Sequence, residues 1–199
     1  MGKKKHLDNI KELFEKSPVV DSRSIERIIK SKEKVRQYHK QLIRNLLRQG
    51  KIKRLAKGYY TKENDPSLAV FCFKPAYLGL QDALSHHNLW EQETIPVVLT
   101  SRKIRSGIRK ILDSNVLIRR IDKKYMFGYG NSQKDKYYLP YSDIEKTLID
   151  MVHYNQKISK ETLQEINKKI NKQKLKNYLT KYPQKTQTKT LNTIKTVKA

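Results

Sequence analysis

The chain has 199 residues, enough for one large domain or two small ones. It carries 44 Lys and Arg against 19 Asp and Glu, a formal net charge of +25. Such an excess repels itself unless a polyanion absorbs it, and nucleic acid is the usual polyanion. The hydrophobic share is 37%, low, but Leu and Ile recur throughout and 12 Tyr add packing surface, so the chain is not a disordered one. Cys72 is the only cysteine, which excludes an intrachain disulfide and a Cys-based zinc site. It stands in the apolar run Val70-Phe71-Cys72-Phe73 and reads as a buried thiol. The basic start, Met1 to Lys5, leads into a charged amphipathic stretch, and no apolar run approaches membrane-spanning length. Neither a signal peptide nor a membrane span is expected, and the expected location is cytoplasmic.

Leu7, Ile10, Leu13 and Phe14 recur at helical spacing, and Ser17-Pro18 ends that first helix. Val19-Val20 is a short extended entry. Asp21 reads as the N-cap of a second helix carrying Ile25, Ile28 and Ile29. Ser31 reads as the N-cap of a third, from about Lys32 to Gln49, with Gly50 at its C′ position. Ile52 and Leu55 then face inward, Gly58 permits a turn and Tyr59-Tyr60 suit a return strand. Three helices followed by a small hairpin is the order of a winged helix-turn-helix, here residues 1–62.

Glu63-Asn64-Asp65-Pro66 reads as a linker. Beyond it come an apolar stretch, Leu68 to Phe73, a helix near Tyr77 to Asn88 and a strand from Ile95 to Thr100. Arg102 to Asp113 is basic, with Ile104, Ile108 and Ile111 at mixed spacing. Val116 to Ile121 and Tyr125 to Tyr129 read as a hairpin over Asp122-Lys123-Lys124, and Lys136 to Leu139 as a further strand. Tyr141 to Tyr154 is a helix with Ile144, Leu148, Met151 and Val152 on one face, and two more follow, about Lys160 to Asn171 and Gln173 to Tyr182. The fold class expected is therefore α+β, with a mixed α/β second domain over 67–182 that ends in helices. After Pro183 the chain is Thr, Lys and Gln with few apolar anchors; no acid follows Glu165 while ten lysines do. A disordered basic tail is expected over 183–199.

The third helix carries the chemistry. On a wheel of 100° per residue, Val35, His39, Leu42, Ile43, Leu46 and Leu47 gather on one side. Lys34, Gln37, Lys40, Gln41, Arg44 and Arg48 gather on the other, and Arg36 adds a further cation. Cations neutralise phosphates and give affinity without sequence choice. Gln pairs two-point with adenine and Arg with guanine in the major groove. From Arg23 to Lys57 there are 13 Lys and Arg against two acids, Glu26 and Glu33. Lys51, Lys53, Arg54 and Lys57 fall in the expected wing, where backbone contact is expected. Double-stranded DNA is thus the partner that composition and pattern predict. Lys103, Arg105, Arg109, Arg119 and Arg120 add charge from the second domain, to touch phosphates or to hold two copies as a homodimer on paired half-sites.

Leu46-Leu47-Arg48-Gln49-Gly50-Lys51-Ile52-Lys53-Arg54-Leu55-Ala56-Lys57-Gly58-Tyr59-Tyr60 resembles the recognition-helix end and wing of the AbiEi-like type IV antitoxin and transcriptional regulator family, in its archaeal-looking members. Leu80-Gln81-Asp82-Ala83-Leu84-Ser85-His86-His87-Asn88-Leu89-Trp90-Glu91-Gln92 resembles a second family segment, with Asn88 where the family commonly has Gly. Ile144-Glu145-Lys146-Thr147-Leu148-Ile149-Asp150 resembles a third, and Lys174 to Leu179 with Tyr182-Pro183 a fourth. The resemblance runs from Asp21 to Pro183 in order. It implies an N-terminal domain that binds inverted repeats in its own promoter and represses it. It also implies a C-terminal domain that counters a nucleotidyltransferase-like toxin encoded alongside, with no cofactor and no enzymatic activity. A stand-alone regulator without a toxin is the alternative within this class.

Three clusters invite an enzymatic reading and have plainer ones. Ser85-His86-His87 has Asp82 and Glu91 as helpers, but adjacent histidines point to different helix faces and no metal is expected there. Lys146 and Asp150 make an i,i+4 pair, a structural arrangement. Asp113 with Asp122-Lys123-Lys124 has the outline of a metal-dependent nuclease core, with its acid-x-Lys on a turn rather than a strand. Trp90 is expected to pack between the helix and the strand at Ile95.

Overall fold

The computed structural model describes residues 2–30 and 38–195, and the side chains of 7–29 and 38–195. The first unit has α1 (Gly2–Lys16), β1 (Val20–Asp21), α2 (Ser22–Lys30), α3 (Tyr38–Arg48), β2 (Lys53–Ala56) and β3 (Tyr59–Thr61). Asp21 caps α2 as its position suggests: its carboxylate accepts from the Ser24 amide at 2.8 Å. The apolar stripes of the three helices meet in one core, where Ile10, Phe14, Ile25, Ile29, Leu42, Ile43 and Leu46 close on Val20, Ile52 and Tyr60. Gly50, at φ +66°, ends α3 in a Schellman motif, its N–H bonded to Leu47 O and that of Lys51 to Leu46 O, both at 3.0 Å. The sheet is antiparallel in the order β1-β3-β2. Gly58, at φ +82°, makes the hairpin turn and its carbonyl accepts from the Ser22 amide at 2.8 Å, which ties the hairpin to the start of α2. The start of the expected third helix, residues 32–37 with Lys34, Arg36 and Gln37, and its expected N-cap Ser31 lie outside the described residues.

The second unit is built on a six-stranded mixed sheet in the order β6-β7-β5-β4-β9-β8. Its strands are β4 (Ala76–Leu78), β5 (Val97–Thr100), β6 (Gly107–Ile111), β7 (Ser114–Arg120), β8 (Tyr129–Lys134) and β9 (Tyr137–Ser142). Helices α4 (Leu80–His86), α5 (Ile144–His153), α6 (Lys160–Lys169), α7 (Lys172–Leu179) and α8 (Gln184–Lys195) complete it. The central strands are buried on both sides, so they read as apolar runs rather than alternations. In β5, Val97 and Leu99 join Tyr77, Leu148, Ile149, Ile166, Leu175 and Leu179 under the helices. Val98 faces the other way and joins Leu78, Val116, Ile118 and Leu139 under a 3₁₀ turn at Pro66–Phe73. The architecture is mixed α and β, as expected.

Several expected elements differ. The helix near 77–88 is a strand followed by a helix, because Gly79 marks a close approach: a Cβ there would stand 2.6 Å from Leu99 Cδ1. Val116 to Ile121 does not pair with Tyr125 to Tyr129. β7 is antiparallel to β6 and parallel to β5, while β8 pairs with β9. Residues 123–125 form a 3₁₀ turn between them. The tail expected to be disordered is helical from Gln184 to Lys195. It packs on α5 with Thr190 fully buried and Ile194 against the core, so a threonine takes the anchoring place where an aliphatic residue would have been the signal.

Glu63 to Pro66 is not a free linker. Glu63 pairs with Lys136 at 2.9 Å, Asp65 with Lys134 at 3.6 Å, and the Asp65 carboxylate accepts from the Ser67 amide at 2.8 Å. Leu55 of β2, 4% exposed, belongs to the second unit's core with Leu68, Phe73 and Ile111. The two units share buried apolar surface as well as a peptide link.

Candidate nucleic-acid interface

α3 presents its core residues to the protein and its charges to solvent because apolar residues recur at i, i+3 and i+4. Leu42, Ile43 and Leu46 are buried, while Lys40, Gln41, Arg44 and Arg48 are exposed. Lys40, Arg44 and Arg48 follow one another at i,i+4 spacing, a stripe running about 12 Å along the helix axis. Gln41 lies one residue round from the first of them. The β2–β3 hairpin adds Lys51, Arg54 and Lys57, all exposed. Lys53 is half-buried and its ammonium is bonded to Asn64 Oδ1, so it braces the hairpin rather than projecting from it. Among the described residues Lys40, Arg44, Arg48, Lys51, Arg54 and Lys57 have no ion pair. Two of the three acids of α1 are engaged on their own helix, Asp8 with Lys11 at 3.5 Å and Glu12 with Lys16 at 2.5 Å. Six unneutralised cations and one amide on the exposed helix and hairpin suit a phosphate backbone, on a helix of the size that fits a major groove.

The second unit's cations divide. β6 packs beside β2, and Lys103 and Arg105 before it are exposed. Lys110, which the sequence reading passed over, also projects, with Asp113 at 3.7 Å. Arg109 and Arg119 are spent on packing: the Arg109 guanidinium lies over the Phe73 ring at 5.4 Å, and that of Arg119 over Tyr154 at 5.1 Å. The alternation of β6 separates Arg109 from Lys110, and that strand has no clear period in the sequence; Arg119 lies on β7.

No protein-family model matches the chain, and no curated protein matches it. Among solved structures, the fold is similar to that in the crystal structure of the RV2827C protein from Mycobacterium tuberculosis, with a TM-score of 0.59 and 14% identity. The likeness covers 92% of this chain and 73% of that one, so it spans both units. At that identity it speaks to the fold alone.

The other candidate clusters resolve differently. Asp113 and Asp122 stand at opposite ends of β7, roughly 20 Å apart along the strand, so they do not converge on one ion. His87 Nε2 is 2.7 Å from Ser142 O, while the His86 ring stacks on Tyr141 at 3.9 Å. Asn88, at φ +55°, holds the left-handed position after α4, with its N–H on Ser85 O at 3.0 Å and that of Leu89 on Leu84 O at 2.8 Å. Asn is the side chain that best replaces glycine there. Trp90 packs partly buried against the helical core, with no hydrogen-bond partner for its indole N–H among the described residues. Cys72 is buried, and burial pushes its thiol up to about 12.

Lys146 and Asp150 do pair, and both are fully buried. The Tyr77 hydroxyl donates to Asp150 Oδ2 at 2.7 Å, and the Tyr182 hydroxyl to Oδ1 at 3.1 Å. The Lys146 ammonium donates to Tyr77 Oη at 2.7 Å and to Asp150, and lies over the rings of Tyr77, Phe127 and Tyr182. Burial pushes the Lys146 ammonium down from its ordinary range, opposed by Asp150, and pushes Tyr77 up. The network joins α5 to β4 and to the segment after α7, and its four members are buried.

Proposed function

We propose that the chain is a sequence-specific DNA-binding transcriptional repressor. In this reading α2 and α3 form a helix-turn-helix, the β2–β3 hairpin is its wing, and Lys40, Gln41, Arg44 and Arg48 enter the major groove. The observation that carries it is the set Lys40, Arg44, Arg48, Lys51, Arg54 and Lys57 on α3 and the hairpin, all solvent-exposed and none neutralised by an acid among the described residues. The ordered resemblance from Asp21 to Pro183 supports a narrower reading: an autoregulating antitoxin of the AbiE type, acting against a nucleotidyltransferase-like toxin from a neighbouring gene, with the second unit as the antitoxin part. Lys34, Arg36 and Gln37 belong to the same proposed surface by sequence.

The test is a gel-shift titration of the full chain on the duplex upstream of its own gene and on an unrelated duplex of equal length, at one fixed salt concentration. The expected preference for its own upstream duplex is about a thousandfold or more. Equal affinity for both would remove the repressor reading and leave a non-specific polyanion binder. Co-expression with the adjacent nucleotidyltransferase gene, where there is one, tests the antitoxin part by growth rescue.

A further inference from the structure

The last helix, α8, carries a second cationic face, in a different layer of the molecule from α3. Val97 and Leu99 of β5 point into the core beneath the helices of the second unit, where Ile194 of α8 also packs. Val98 points the other way, into the core that takes Leu55, Val19 and Tyr59 from the first unit. The helical layer and the first unit therefore cover opposite faces of the six-stranded sheet. The face of α8 is a surface separate from that of α3, not an extension of it.

On a wheel of 100° per residue α8 divides into two sides. Thr190, fully buried, and Ile194, half-buried, fall on one. Lys185, Lys189 and Lys195 fall on the other, with Gln184, Thr188 and Asn192 among them, and all six are exposed. The three cations span about 15 Å of helix axis. Among the described residues none of them has an ion pair; Lys189 donates to Asn155 Oδ1 at 2.6 Å. No acid stands on α7 or α8. The acids of α5 and α6 are occupied: Glu145 holds Lys174 at 3.2 Å, Glu165 holds Lys168 at 2.6 Å, Asp150 is buried with Lys146, and Glu161 bonds Ser159. Folding alone gives this helix little. Its one wholly buried side chain is Thr190, and Leu191 is left exposed. Lys185 and Lys189, like charges at i,i+4, weaken it further. A polyanion on the exposed face removes that repulsion.

We propose that α8 is a second DNA-binding surface, which grips the phosphates of a duplex other than the one on α3, so that one chain bridges two duplex segments. Lys185, Lys189 and Lys195 neutralise phosphates, and Gln184, Thr188 and Asn192 add uncharged contacts to the backbone. A single strand is the poorer fit, because single strands are held by stacking on exposed aromatic rings and α8 has no aromatic residue. An RNA duplex is poorer too: its major groove is deep and narrow, whereas that of B-DNA, about 12 Å wide, admits a helix. The α8 surface stands without the α3 reading; the bridging rests on it.

The experiment uses the full chain and two short DNA duplexes of unrelated sequence, one fixed on beads and one fluorescent. The parent chain should carry the fluorescent duplex onto the beads. The variant with Lys185→Gln, Lys189→Gln and Lys195→Gln, all exposed and so safe for folding, should lose that capture while still binding one duplex in solution through α3. In a chain that already carries Lys40→Ala, Arg44→Ala and Arg48→Ala, the same three changes should weaken the duplex binding that remains. They should also make its slope of log affinity against log salt shallower by nearly 3, about 0.9 for each lost phosphate contact. Amides of residues 184–195 should exchange more slowly with duplex DNA bound, in the parent and in the α3 variant alike. Parental affinity in the α3 variant, with loss in the α8 variant, would remove the α3 reading and keep the α8 surface. The proposal is overturned by no capture with the parent, or by undiminished capture with the α8 variant, as a dimer holding DNA through two α3 helices would give. An unchanged salt slope, or tighter binding of an RNA duplex than of DNA by the α3 variant, would overturn it as well.

Discussion

The helix-hairpin face of the first unit and Lys146 of the second unit put cations in opposite surroundings. Lys40, Arg44 and Arg48 on α3 and Lys51, Arg54 and Lys57 of the hairpin stand in solvent beside a small apolar core, with no ion pair among the described residues. In the second unit Lys146 is wholly inside, against a carboxylate, a hydroxyl and three ring faces. An exposed unpaired cation adds little to folding and stays available to a polyanion. A buried paired one has no ligand to meet and specifies how helices sit on a sheet. The sequence shows a lysine in both places; the difference lies in the company each keeps.

That contrast is broken most severely at Lys146. Lys146→Met leaves Asp150 buried without its cation and should cost about 3–5 kcal/mol. Combining it with Asp150→Leu should recover a good part of that loss, though the hydroxyls of Tyr77 and Tyr182 then lose their acceptor. Urea unfolding of the three proteins measures this. A single-variant loss under about 1 kcal/mol would mean the pair is not enclosed as described.

Leu55 tests the seam between the regions. Leu55→Ala removes a β2 side chain from the second unit's core and should cost about 2–3 kcal/mol by the same unfolding measurement. A fragment ending near Asp65 would expose this leucine and lose the Glu63–Lys136 pair, so it should be less stable than the first unit is in the full chain. Equal stability of Leu55→Ala and the parent would restore the picture of two independent domains.

A smaller effect belongs to Asp82, whose carboxyl burial pushes up to about 7, with Lys134 and the Val97 amide opposing. The unfolded carboxyl ionises near pH 4. Between that value and 7 the unfolded state sheds this proton while the folded state keeps it, so stability attributable to Asp82 is full below about 4 and lost as pH rises to 7. Asp82→Asn should flatten that decline in a pH series of unfolding curves; a parallel pair of curves would contradict it. The smallest change is Gln41→Ala, which should narrow the ratio of operator to random-DNA affinity by about tenfold with little loss on random DNA. Equal losses on both would make Gln41 a positioning residue.

Much of the first unit was legible because its signals are local. Asp21 before an apolar-periodic run and Gly50 after one mark helix ends through hydrogen bonds made within a few residues. The exposed face of α3 followed from a wheel. The second unit was less legible because its order is set by long-range pairing. That β7 lies between β5 and β6, rather than turning back on residues 125–129, depends on strands far apart in the chain. Gly79 inside an apolar segment was a visible sign of a break, yet what it accommodates is Leu99. α8 was hidden because Thr190 has no apolar signature.

The central claim is that the exposed cations of α3 meet DNA phosphates. It is tested most directly by measuring affinity for one duplex across a series of salt concentrations, for the full chain and for the variant with Lys40→Ala, Arg44→Ala and Arg48→Ala. Each phosphate contact contributes about 0.9 to the slope of log affinity against log salt, so losing three should make the slope shallower by nearly 3 and weaken binding at every salt concentration. A variant whose slope and affinity match those of the parent chain would contradict the account and place the DNA contact, if any, on another surface.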